Sequence, residues 1–144
     1  MVRKATNRDC RILAELAVQI WDSHTVEELE AEFRETIQAE QAAFFIKYAE
    51  NNPAGFAQCG LRKDYVEGTE RSPVGYLEGI FVQEGYRKQG FAKQLLCACQ
   101  QWAKDMGCTE FASDCELDNY ESLQFHIAMG FEEANRIICF RKTI

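Results

Sequence analysis

Gly75-Tyr76-Leu77-Glu78-Gly79-Ile80-Phe81-Val82, followed by Gln83-Glu84-Gly85-Tyr86-Arg87-Lys88-Gln89-Gly90-Phe91-Ala92, is the stretch on which the fold turns. Its first eight residues are mostly apolar and read as a central strand. Residues 90–106 read as a helix, because Ala92, Leu95, Leu96, Ala98, Cys99, Trp102, Ala103 and Met106 recur at helical spacing, and Gly107 stops it. The turn between them is small at Gly90 and Ala92, where the backbone must approach something closely. Free N–H groups in a helix's first turn, together with the dipole, suit a pyrophosphate. Arg87 and Lys88 add positive charge to that mouth. No Gly-Lys-Ser/Thr follows, and the turn is not G-x-G-x-x-G, so neither common nucleotide loop is present. An Arg-x-x-Gly-x-Ala run alone could merely begin a helix. Its position after a strand gives it weight.

Working upstream, residues 9–20 place Ile12, Leu13, Leu16, Ala17 and Ile20 at helical spacing, for a helix ending near Trp21. Thr25 with Glu28 is a capping-box signature for a second helix over about 26–40. Ala42 to Tyr48 reads as a strand, Asn51-Asn52-Pro53 as a turn, and Ala54 to Leu61 as the hairpin partner. A polar loop holding Asp64, Tyr65, Gly68 and Ser72-Pro73 leads into the central strand. Downstream, Cys108 to Cys115 reads as a strand, 119–129 as a helix and Ile137 to Arg141 as a last strand. The order, ααββ then βαβαβ, predicts an α/β fold. Its sheet is mixed and largely antiparallel with flanking helices, in one domain over residues 1–144.

A 144-residue chain that is 47% hydrophobic, 27% charged and 12% aromatic has the make-up of one globular domain, which excludes a disordered or fibrous chain. No run nears the roughly 20 apolar residues of a membrane helix, and the first residues lack a secretory h-region. A cytoplasmic protein is expected. Seven cysteines (10, 59, 97, 99, 108, 115, 139) show no C-x-x-C pair, and the two histidines, His24 and His126, lie far apart. No metal is therefore expected, and the thiols read as reduced, small core hydrophobes.

Net charge is −7, and residues 22–40 hold seven acids against one base, Arg34. Such a run is either a solvated helix face or a field that concentrates a cationic partner. The same field repels phosphate backbones, so no nucleic-acid partner is expected.

Arg87-x-x-Gly90-x-Ala92 resembles the acetyl-CoA signature of the GCN5-related N-acetyltransferases, Gln/Arg-x-x-Gly-x-Gly/Ala. Asn119-x-x-Ser122-x-x-x-His126-x-x-x-Gly130-Phe131 is similar to that superfamily's Asn-x-x-Ala-x-x-x-Tyr-x-x-x-Gly-Phe. A narrower set resembles the aminoglycoside 6′-N-acetyltransferases: Lys63 to Gly68, Ser72 to Val74, Leu77 to Val82, Ala112 to Asp114, and Gly130 to Glu133. The resemblance covers essentially the whole chain. It implies acetyl-CoA as co-substrate, a cationic drug as acceptor, and a homodimer.

The resemblance assigns cofactor contacts to Ile80, Phe81 and Val82, to the turn Lys88, Gln89, Gly90, Phe91, Ala92 and Lys93, and to Asn119. Strand atoms at 80–82 could pair with the pantetheine amides, and the Asn119 side chain has donors and acceptors for the same arm. Drug contacts map onto Trp21, Tyr65, Glu78 and Asp114. A further contact, Glu in related enzymes, is Asn135 here, which removes one negative charge from the acceptor side.

Each residue has a plainer reading. Glu78 in an apolar strand is either an alternating solvent-facing residue or a cleft acid that binds an ammonium and takes its proton. Asp114 either forms a turn or closes the cleft. Trp21 either fills core or, with Tyr65, stacks on sugar rings. His126 stands at the superfamily's Tyr position, where it is either a packed helix residue or the acid for the leaving thiolate. Cys115 and Cys139 lack the His/Asp partners of a cysteine nucleophile. The reading is direct acetyl transfer to a 6′-amine, with a strand N–H near Ile80 to Val82 polarising the thioester carbonyl. The alternatives are the same chemistry on a polyamine or protein N-terminus, and a non-catalytic acyl-CoA sensor.

Overall fold

The computed structural model describes residues 1–144 and forms a five-stranded sheet in the order β1-β2-β3-β4-β5. The strands are β1 (Val2–Lys4), β2 (Ala42–Ala49), β3 (Asn52–Arg62), β4 (Val74–Val82) and β5 (Phe111–Ser113), and the first four run antiparallel. Helices α1 (Cys10–Ala17), α2 (Val26–Thr36), α3 (Phe91–Asp105) and α4 (Tyr120–Ala128) flank it. Only β5 is parallel to its neighbour, reached from β4 by the α3 crossover.

The apolar run of β2 is buried on both faces, which is why it does not alternate with polar residues. Phe44 and Ile46 join Phe56 under α1 and α2, with Leu13, Leu16, Leu29 and Phe33 above them. Ala43 and Phe45 point the other way, joining Ala57, Cys59 and Leu77 under Leu95, Leu96, Cys99 and Trp102 of α3. Burying each of the Leu, Ile and Phe side chains contributes roughly 1.5–3 kcal/mol before entropy is counted. Thr25 caps α2 by accepting from the Glu28 N–H at 3.1 Å. Cys10, Cys59, Cys99 and Cys108 are buried free thiols, as expected of core hydrophobes, whereas Cys97, Cys115 and Cys139 are exposed.

The fold departs from the expected one at its two ends. A first strand, Val2–Lys4, pairs with Phe45 to Lys47; three mixed residues carry no readable period. Arg3 fixes it, donating to Oδ2 of Asp9 at 2.9 Å and to Oδ1 at 2.7 Å. At the other end, the expected strand over Ile137 to Arg141 does not form. Its apolar, β-branched composition suits a strand, but no main-chain hydrogen bond reaches beyond Phe131, and residues 132–144 are all exposed. The helices also stop short of their expected ends, at Ala17 and Thr36, and β5 is three residues rather than eight. That last difference opens the site. Pairing of β4 with β5 ends at Leu77 opposite Ser113.

Candidate active site

Beyond Leu77, the edge of β4 that faces β5 has no strand partner, so the main-chain groups of residues 80–82 that point away from β3 face a ligand lying along it. That edge leads to the turn into α3. Lys88 has φ 62° and Gly90 has φ 79°, and the first helical bond runs from the Gln94 N–H to the Gly90 carbonyl at 3.1 Å. The N–H groups of Phe91, Ala92 and Lys93 are therefore free at the helix mouth, in a concave backbone suited to an anion. Nothing lies within 4 Å of where a Gly90 Cβ would sit, so the glycine is required by its left-handed backbone and not by crowding. Lys88, Gln89 and Lys93 are exposed around this mouth. Arg87 is drawn back, donating from Nε to the Val82 carbonyl at 2.9 Å, while Lys47 lies 4.5 Å over the Phe91 ring.

At the far end of the same edge stand the two acids. Gln58 pairs with Gly79 and Cys59 with Leu77, so Glu78 is the extra residue of a bulge. The bulge breaks the strand's period: Leu77 and Ile80 pack toward α3, whereas Phe81 packs toward α1 and α2. Glu78 is freed from the ladder with its side chain 32% exposed. Arg62 holds it, with Nη2 2.9 Å from both carboxylate oxygens and Nε 3.2 Å from Oε1. The Arg62 guanidinium lies 3.7 Å over the Tyr76 ring, and the Tyr76 hydroxyl donates to Asp114. Burial and that neighbouring carboxylate push the Tyr76 phenol well above its usual range. Glu78, Arg62, Tyr76 and Asp114 thus form one connected set spanning β3, β4 and β5. Arg62 and Tyr76 were not among the expected site residues, because neither the bulge nor the reach of Arg62 leaves a sequence pattern.

His126 sits behind this set on α4. Its Nδ1 is 2.7 Å from the Ser122 carbonyl oxygen and its Nε2 is 2.8 Å from Ser113 Oγ. Trp21 is half-buried, edge-on to Phe33 and Phe56 with centroids 6.2 and 5.9 Å away. Its ring fills the space a Cβ on Gly79 would need, only 2.5 Å away, so Gly79 exists to admit it. Core packing therefore holds Trp21 beneath the β4 bulge. Tyr65 is 76% exposed in the loop before β4. Asn119 commits its Oδ1 to capping α4 through the Ser122 N–H at 3.1 Å, leaving only its amide N–H groups for a ligand. Asn135 lies in the exposed C-terminal segment, its Nδ2 3.4 Å from Glu67. The structure brings Glu78 and Asp114 together through Arg62 and Tyr76. It leaves Tyr65 and Asn135 at the surface.

The acidic run is partly neutralised. Arg11 contacts Glu27 and Glu30, Arg34 contacts Glu30, and His24 lies 3.5 Å from Glu28. Asp22, Glu32, Glu35 and Glu40 carry no ion pair.

Residues 5–131 match the family described as acetyltransferase (GNAT) family. The aminoglycoside N(6′)-acetyltransferase type 1 of Salmonella typhimurium is 44% identical over 127 residues, covering 88% of each chain. That of Stenotrophomonas maltophilia is 40% identical over 143 residues, 99% of this chain and 93% of its own. Among solved structures, AAC(6′)-Iy in complex with the bisubstrate analogue CoA-S-monomethyl-acetylneamine superposes with a TM-score of 0.95 at 40% identity, covering 100% of this chain and 98% of that one. The chain belongs to the acetyltransferase (GNAT) family.

Proposed function

We propose that this chain transfers the acetyl group of acetyl-CoA to the 6′-amino group of aminoglycoside antibiotics, the acceptors for which its relatives are named, and so confers resistance to them. The observation that carries the reading is the alignment of three features on one strand edge. An anion-binding helix mouth lies at one end, the stretch of β4 at 80–82 without a β5 partner in the middle, and two carboxylates at the other end. A pyrophosphate at the mouth, with Lys88, Gln89 and Lys93 around it, directs a thioester arm along Ile80 to Val82 toward Glu78.

An acceptor amine attacks only when neutral. Glu78 binds the ammonium and takes its proton once Arg62 yields that carboxylate, and a strand N–H in 80–82 stabilises the developing oxyanion. Asp114 holds a second ammonium of the drug, with Tyr65 and Asn135 at the rim of the acceptor site and Trp21 supporting the β4 bulge from below. Asn119 reaches the cofactor through its amide N–H groups.

A second copy of the chain completes the assembly as a homodimer. Ile137, Ile138 and Phe140 are 63%, 78% and 90% exposed on a segment without main-chain partners, and apolar strand-forming residues of that kind call for a covering surface. Seven free thiols and a thioester co-substrate fit a cytoplasmic enzyme. Release of free CoA thiol with a 6′-amino drug tests the reading. No thiol release with any such drug would end it.

A further inference from the structure

We propose that Ser113 is a catalytic residue of the transfer, handing its hydroxyl proton to the departing thiolate while His126 recharges it. This rests on the acetyl-transfer reading above. The imidazole can deliver a proton only through Ser113. Nδ1 lies 2.7 Å from a carbonyl oxygen, that of Ser122, so it carries hydrogen and is spent on that bond. The other nitrogen, Nε2, is 2.8 Å from Ser113 Oγ and faces nothing else. Phe125 and Phe131 stand edge-on to the ring with centroids 5.6 and 5.1 Å away, which holds it in that orientation.

Ser113 stands where the sulfur must come. It is the last residue of β5 paired with β4, opposite Leu77 and one residue from both Asp114 and, across the ladder, Glu78. A thioester arm led down the free edge from Val82 meets the acceptor acids at this crotch, so its sulfur lies beside the Ser113 hydroxyl. In the resting arrangement that hydroxyl has only a long alternative acceptor, the Leu77 carbonyl at 3.3 Å.

The step balances as follows. The tetrahedral intermediate collapses, the carbon–sulfur bond breaks and its electron pair stays on sulfur. Sulfur takes the Ser113 Oγ proton, and Oγ takes the Nε2 proton of a His126 imidazolium. Neutral His126 is left with Nδ1–H still on Ser122, and solvent returns its proton. The proton lost by the amine leaves separately through Glu78.

The test compares two donors with one 6′-amino drug: acetyl-CoA, and an aryl thioacetate whose weakly basic thiolate leaves without a proton. Ser113→Ala should lower kcat with acetyl-CoA by about 10- to 100-fold and change the aryl thioacetate reaction by no more than about threefold. Ser113→Thr, which keeps a hydroxyl, should restore most of the loss. His126→Gln, which keeps a hydrogen-bonding group but carries no transferable proton, should repeat the donor-selective loss and serves if the Ala variant fails to fold. An equal loss with both donors, or none with either, would overturn the role of Ser113. Wild-type protein run alongside separates the two readings, since absence of CoA release with every 6′-amino drug overturns acetyl transfer itself.

Discussion

Nη2 of Arg62 lies 2.9 Å from both carboxylate oxygens of Glu78, so the acid proposed to receive the substrate's ammonium already holds a cation. An ammonium must displace that guanidinium or share what remains of the carboxylate. Arg62→Gln removes the competitor and leaves two carboxylates facing the acceptor with no fixed positive charge between them. The KM for a tri- or tetra-cationic drug should fall by roughly three- to tenfold at low salt, an effect shrinking as salt screens it. A raised KM would mean that Arg62 chiefly holds Glu78 in place.

Glu78 and Asp114 are expected to differ in kind. Glu78→Gln and Asp114→Asn preserve shape while deleting a charge, so both should fold. Asp114→Asn should raise the drug KM and leave kcat largely intact, because Asp114 only binds. Glu78→Gln should lower kcat by roughly 10²–10⁴-fold with the same drug. A near-normal kcat for Glu78→Gln would reduce Glu78 to a binding residue.

Gly90 is suited to a comparison of two nearly isosteric replacements. Its φ of 79° is one that Asn and Asp tolerate better than most residues, and no neighbour crowds a Cβ there. Gly90→Asp sets a negative charge against the free N–H groups of α3, and should raise the KM for acetyl-CoA by roughly three- to tenfold over Gly90→Asn. Equal constants for the two variants would place the pyrophosphate elsewhere.

Asp9 links the fold to pH. Hydrogen bonds from the Arg3 guanidinium and the Thr6 N–H outweigh burial and hold its carboxyl down at about 2, against an ordinary 3.8. A depressed carboxyl contributes stability above its unfolded value and loses it as pH falls from about 4 to about 2. Asp9→Asn should therefore cost about 2 kcal/mol near neutrality, or roughly 5 °C in Tm. Thermal melts of variant and wild type should converge below pH 2. A constant gap down to that pH would assign the loss to packing alone.

Periodicity and the Thr25 cap made four helices and the β2-β3-β4 meander legible in the sequence, and Gly90 marked the helix mouth. What could not be read depended on partners distant in the chain. The extra residue at Glu78 shifts the facing of everything after it, yet 75–82 reads as an unbroken strand. Arg62 reaches Glu78 from a different strand. Val2–Lys4 forms by pairing with Phe45 to Lys47 rather than through any pattern of its own, and Ile137 to Arg141 has a strand's composition without a neighbour to bond. Trp21 reads from sequence as either a stacking or a core residue, and its contact with Gly79 is one that no local pattern records.

The central claim is acetyl transfer to a 6′-amine, and a matched pair of drugs differing only in a 6′-amino or 6′-hydroxyl group tests it most directly. CoA release should be rapid with the 6′-amino member, with the acetyl group located on that nitrogen by NMR of the product, and near background with the 6′-hydroxyl member. Equal release from both members, or an acetyl group on another nitrogen, would contradict it.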